Sequence, residues 1–151
     1  MGAARTLAGT RERATEAGLR AAADLTELAE RCAIVLSVCP PAAAPDVAAS
    51  VAAAGFRGVY VDANAVSPQR MGEIGVLFTG VPVTLVDGGI TGPPPRTRGT
   101  TRLYLSGEPE AVASVSALFD GTLLTPHPHA VTASGRCGAG DHRRSPAGPV
   151  P

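Results

Sequence analysis

Two short apolar runs, separated by an alanine-rich stretch, limit what this chain can fold into more than any other feature. Residues 33–39 read AIVLSVC and residues 58–62 read GVYVD. Both runs are continuous and rich in β-branched side chains. A strand with one wet face alternates apolar and polar residues. An unbroken run of this length belongs to a strand buried on both faces, as in a parallel sheet covered by helices on either side. Between the runs, residues 46–54 form an Ala-rich helical segment closed by Gly55, so the order is strand, helix, strand. Ser67 and Pro68 then open a second helix, serine as N-cap and proline at the first helical position. Residues 81–86 read as a third strand. Residues 101–106 alternate and read as a half-buried strand, and residues 108–119 as a last helix stopped by Gly121. Upstream, residues 7–17 favour a helix ending at Gly18, and Asp24 with Glu27 forms a capping box for a short helix. Strands and helices alternating at this spacing make βαβ units, hence an α/β fold with a parallel sheet.

Composition narrows the function. The chain has 151 residues, enough for one domain, with 44% apolar and 17% charged residues and zero formal net charge. That balance is not that of a disordered chain. All 13 basic residues are arginine, and the apolar part holds no basic cluster, which argues against nucleic acid as a partner. Aromatics are 3% with no Trp, so the core is aliphatic and base-stacking platforms are not expected. The apolar runs fall well short of the ~20 residues of a membrane span. No apolar leader follows Met1, so a cytoplasmic location is expected. Cys32, Cys39 and Cys137 show no paired spacing, against both a disulfide scaffold and a zinc site. Residues 126–151 are rich in Pro and Gly and poor in large apolar side chains; they are expected to form a disordered tail holding all three histidines, with the folded domain at residues 1–125.

In parallel sheets ligands sit at the carboxyl ends of the strands. That singles out residues 39–41, 62–65 and 87–99. The proline pair after Cys39 is a turn in its simplest reading. Ser67-Pro68 is explained as a helix cap, whereas Asp62 and Asn64 at a strand end are also placed to hydrogen-bond a ligand's hydroxyls. The third loop is either a flexible linker or a small-anion site, since glycine permits close backbone approach, Thr offers a hydroxyl and Arg a forked donor.

Taken together, VLSVCPP, GVYVDANAVSP and VDGGITGPPPRTRGTTRLYLSG, in this order and spacing, resemble the β-hydroxyacid dehydrogenase family, and within it the 6-phosphogluconate-dehydrogenase-like, NAD(P)-dependent oxidoreductases. The resemblance spans about residues 5–122. It implies a Rossmann-type parallel sheet with helices on both faces. The sequence holds no GxGxxG, so the first βαβ phosphate-binding unit is expected to be lacking. The resemblance also implies NADP or NAD as cofactor, a small hydroxyacid substrate and hydride transfer between them. Val38, Cys39 and Pro40 would lie against the cofactor. Asn64 and Ala65 would lie at the nicotinamide ribose, with Asn64 making the polar contact. Thr91, Gly92 and Pro93 would hold the substrate carboxylate, Pro93 replacing the family's second glycine. Arg5 and Thr6 would lie just after a strand, facing the 2′-phosphate of NADP. The family's catalytic lysine has no counterpart in a chain without Lys, so no catalytic residue is assigned and the chain is expected to be an inactive or incomplete form, its last residues resembling a lost continuation such as a frame change produces. Without its first unit, the strand at residues 33–39 would be an edge prone to self-association. The alternatives are a non-enzymatic remnant or interaction protein and a small-anion-binding α/β domain.

Overall fold

The two continuous apolar runs form β1 (Ile34–Ser37) and β2 (Gly58–Asp62), joined through a short 3-10 turn and α3 (Ala44–Ala53). They are preceded by α1 (Gly2–Glu16) and α2 (Leu25–Arg31), and followed by α4 (Pro68–Leu77), β3 (Val83–Thr91), β4 (Thr101–Gly107), α5 (Pro109–Ala117) and β5 (Leu124–Ala130). This computed structural model describes the backbone of residues 2–130 and the side chains of residues 9–129. The five strands form one sheet in chain order. The pairs β1–β2, β2–β3 and β4–β5 are parallel.

Two expectations change. First, β3 and β4 are antiparallel. β3 continues through residues 88–91, which the sequence reading assigned to the loop, and the short Gly/Pro-rich return leaves no room for the crossover that a parallel neighbour needs. Second, the domain does not end at residue 125. Residues 124–130, LTPHPHA, form β5, in register with β4 from Thr101↔Leu124 to Gly107↔Ala130. Pro126 and Pro128 disguised this strand as a loop. A prolyl nitrogen is tolerated on an edge strand, where it faces away from the partner, and the alternation of Pro and His is itself strand periodicity. His127 and His129 therefore sit on a strand. The rest of the expected tail, residues 131–151, lies outside the described residues.

Helices cover both faces of the sheet, because successive strand residues point to opposite sides. Tyr60 points into a cluster with Ala44, Ala48 and Val51 of α3, Ile74 of α4, Phe56 and Phe78. Val61 points the other way, into a cluster with Val86, Leu103, Leu105 and the α5 residues Ala111, Val112 and Val115. Each large side chain so buried contributes about 1.5–3 kcal/mol. Tyr60 and Phe78 add a tilted ring contact at 4.9 Å. Among the described residues, no helix is long and apolar enough to cross a membrane.

The helix caps follow the sequence signals. Ser67 Oγ accepts from the Arg70 amide at 3.3 Å, and Asp24 Oδ1 accepts from the Glu27 amide at 2.9 Å. Glu27 reaches one residue further back than in a capping box, accepting from the Ala23 amide at 2.6 Å. At the start of β2, Gly58 has φ 135°, and a Cβ there would run into the Ala33 carbonyl, so the close approach of β2 to the chain entering β1 requires glycine.

The coverage is uneven. On the α3/α4 side, Arg102, Tyr104, Ser106, Thr125, His127 and His129 of β4 and β5 belong to neither apolar cluster. At the opposite edge, Leu36 and Val38 are 37% and 63% exposed.

Candidate functional site

β1 and β2 end side by side, Ser37 opposite Asp62. Here the sheet buries three polar side chains, with Asp62 0%, Asn64 4% and Ser37 5% exposed. Burial of such groups is tolerable only when their hydrogen bonds are made, and Asn64 makes them. Its Nδ2 donates to Ser37 Oγ at 2.9 Å and to Asp62 Oδ2 at 3.1 Å. Its backbone amide donates to Asp62 Oδ1 at 3.1 Å. Its Oδ1 accepts from the Cys39 amide at 2.5 Å. The Ala63 amide donates to the Ser37 carbonyl at 3.0 Å, so the strand ends are joined by backbone as well. Below this knot, Tyr60 is fully buried and its hydroxyl has no hydrogen-bond partner. Burial pushes its phenol above the ordinary range, Ser37 acting the other way.

The knot brings two of the expected loops together. Residues 38–40 follow β1, residues 64–65 follow β2, and the Cys39–Asn64 bond ties one to the other. Val38 stands out at 63% exposed. Ala65 takes a left-handed conformation, φ 52°, the one non-glycine to do so among the described residues. Such a conformation costs on the order of 1 kcal/mol and marks a loop held by its surroundings. Both Nδ2 protons of Asn64 and one lone pair of its Oδ1 are engaged inside the knot. Asn64 positions the two loops and does not present an amide outward as the sequence reading expected.

The third loop lies further along. An isolated bridge pairs Asn64 with Gly89, and β3 runs two residues beyond that to Thr91, about 7 Å at strand spacing. Gly92 has φ 123°, and a Cβ there would strike the Thr100 carbonyl. The buried Thr101 hydroxyl donates to the Pro93 carbonyl, closing the turn. Arg5 and Thr6 do not follow a strand: both lie within α1. Sequence reasoning missed the partnership of Ser37 with Asp62, because only the parallel register shows that they face each other. It also missed the β5 imidazoles, which stand 5.4 Å (His127) and 5.7 Å (His129) from the Tyr104 ring. The His-Pro-His alternation was the available signal. Among the described residues, no three His, Cys, Asp or Glu side chains are arranged to hold a metal.

No family model matches the chain, and no curated protein sequence matches it. Solved structures do. A conserved hypothetical protein from Sinorhizobium meliloti 1021 aligns over 82% of this chain and 41% of its own length, at 23% identity and a TM-score of 0.66. The conserved protein MTH1747, described as structurally similar to 3-hydroxyacid dehydrogenases, aligns over 79% of this chain and 44% of its own, at 25% identity and a TM-score of 0.62. An imine reductase from Pseudomonas sp. aligns over 76% and 42%, at 20% identity and a TM-score of 0.62. The fold is thus the β-hydroxyacid dehydrogenase-like, Rossmann-type α/β fold that the three motifs imply. The chain spans less than half the length of these proteins.

Proposed function

We propose that this chain carries the nicotinamide side of a dinucleotide site, for NADP or NAD, in an oxidoreductase acting on a small hydroxyacid. The observation that supports this reading is the knot. Asn64, Ser37 and Asp62 hold residues 38–40 and 64–65 together at the carboxyl ends of adjacent parallel strands, the position where such sheets take their ligands. The exposed Val38 side chain and the backbone of residues 38–40 and 65 form the surface on offer, which suits a flat ring and its ribose better than a phosphate group. Thr91, Gly92 and the turn at Pro93 are the proposed carboxylate contacts. The chemistry a bound nicotinamide supplies is hydride transfer. The residues here bind and orient.

Affinity is expected to be weak. The sequence has no GxGxxG, and each missing charged hydrogen bond to a phosphate removes about 1.5–3 kcal/mol. Kd for NADPH is therefore expected near ~1 mM. With no lysine in the chain, turnover of hydroxyacids is expected to be absent. Fluorescence titration with NADPH tests the reading. The expected result is saturable binding, competed by reduced nicotinamide mononucleotide and not by adenosine 2′,5′-bisphosphate. Competition by the adenosine compound alone contradicts it.

The β1 edge is also proposed as a self-association surface, because Leu36 and Val38 are exposed on a strand that pairs on one side only among the described residues. Concentration-dependent sedimentation that Leu36→Lys abolishes is the expected behaviour; a monomer at all concentrations rules it out.

A further inference from the structure

Among the described residues no helix covers the β3–β5 face on the α3/α4 side, and this face carries a hollow that borders the strand-end knot at Ala65 and Gly89. Its floor follows from register. Asp87, Ser106 and His129 stand in one row across the three strands, and Gly89, Tyr104 and His127 in the next. The second row is asymmetric. On the β5 side, the Tyr104 ring is flanked by the two imidazoles. On the β3 side its neighbour is Gly89, where an added Cβ would meet nothing within 4 Å. The missing side chain leaves an open space beside the ring, walled on its far side by Ala65 and Val66 and closed at one end by Asp87. The cavity is about 480 Å³.

The chemistry of this lining selects its ligand. Asp87 is the charged group that borders the hollow, and among the described residues it has no ion-pair partner. Its register neighbour on β2 is another carboxylate, Asp62. Arg102, the basic side chain on this face by register, is one row beyond Tyr104. An anion would therefore meet an uncompensated carboxylate. A cation would meet that carboxylate and the negative face of an aromatic ring, the combination that recognises ammonium groups. We propose that the hollow over Gly89 binds a small organic cation, a protonated or quaternary amine, between the Asp87 carboxylate and the Tyr104 ring. Partial desolvation first, and the Asp62 charge second, hold the Asp87 carboxyl above its ordinary range, which a bound cation would reverse.

The hollow shares Ala65 with the proposed nicotinamide surface, and its ligand is tested with no dinucleotide present. Choline is titrated into the protein at pH 8 and followed by amide and aromatic NMR shifts, beside 3,3-dimethylbutan-1-ol, its uncharged isostere. Saturable shifts at Gly89 and the Tyr104 ring are expected, with the neutral compound binding at least about ten-fold more weakly. Asp87→Asn should weaken choline about ten-fold. Gly89→Val should abolish binding by filling the hollow while leaving the fold intact, since that position has open space and no left-handed φ. No choline binding, equal binding of the neutral isostere, or shifts that survive Gly89→Val each overturn the proposal.

Discussion

The two ends of the sheet handle polar groups in opposite ways. At the carboxyl ends of β1 and β2, Ser37, Asp62 and Asn64 are buried and satisfy one another. On the other face of β4 and β5, Tyr104, Ser106, His127 and His129 lie on one side of the sheet with no helix over them among the described residues, and Asp87 shares that side from β3 with no ion pair among the same residues. The first arrangement fixes architecture, because the Asn64 donors are spent inside it on Ser37 and Asp62. The second leaves capacity available to a ligand. A polar residue near a strand end is therefore not by that fact a binding residue. What decides is whether its valences are already filled.

Breaking the knot should produce the largest effect. Asn64→Ala removes the acceptor of the Cys39 amide and the side-chain donor to Ser37 Oγ and Asp62 Oδ2 at once, leaving only the backbone amide on Asp62 Oδ1, in a site where unmet polar groups are costly. A loss of about 3 kcal/mol is expected in denaturant unfolding. A loss below about 1 kcal/mol would mean that water replaces the amide and the loops are not held by it.

Tyr60→Phe sharpens the comparison from the other direction. The Tyr60 hydroxyl is the one buried side-chain polar atom without a partner among the described residues. Removing it should leave packing against Phe78 intact and raise stability by about 1 kcal/mol. Destabilisation would show that Ser37 holds that hydroxyl after all.

Asp87→Asn should have the smallest effect, with a pH signature. The folded state raises this carboxyl above its ordinary value through partial desolvation and then the Asp62 charge. Between the unfolded and the folded pKa, the native state binds the extra proton. Stability contributed by this group is thus highest in acid and falls as pH rises through that window. The asparagine variant should lack this slope and be more stable at neutral pH by less than about 0.5 kcal/mol, because the side chain is solvent-screened. A variant less stable at neutral pH would show that another group compensates the charge.

The legible part of the fold was the part carried by local pattern. Continuous β-branched runs marked β1 and β2, Ser67-Pro68 marked the start of α4, and the three motifs marked the fold family. β5 was not legible, because Pro126 and Pro128 signal a loop unless the strand is known to be an edge, and edges are a property of the assembled sheet. The antiparallel turn between β3 and β4 was hidden for a related reason: Gly88 and Gly89 look like loop residues until they are found within a strand. At the strand ends, position alone singled out residues 39–41 and 62–65, and the family resemblance pointed to Val38, Cys39, Asn64 and Ala65 within and beside them. The role of Asn64 was not legible, since its partners Ser37 and Asp62 come from two different strand ends. The Asp87–Tyr104 hollow depends on a missing side chain, which no motif announces.

The measurement that tests the account most directly is a residue-resolved map of where the reduced nicotinamide mononucleotide binds. Amide shifts on titration should concentrate at Val38, Cys39 and Ala65 and extend to Thr91 and Gly92, while His127 and His129 on β5 stay unmoved. Shifts confined to β4 and β5, or no shifts at ~5 mM ligand, would contradict the claim that the knotted strand ends form the nicotinamide side of a dinucleotide site.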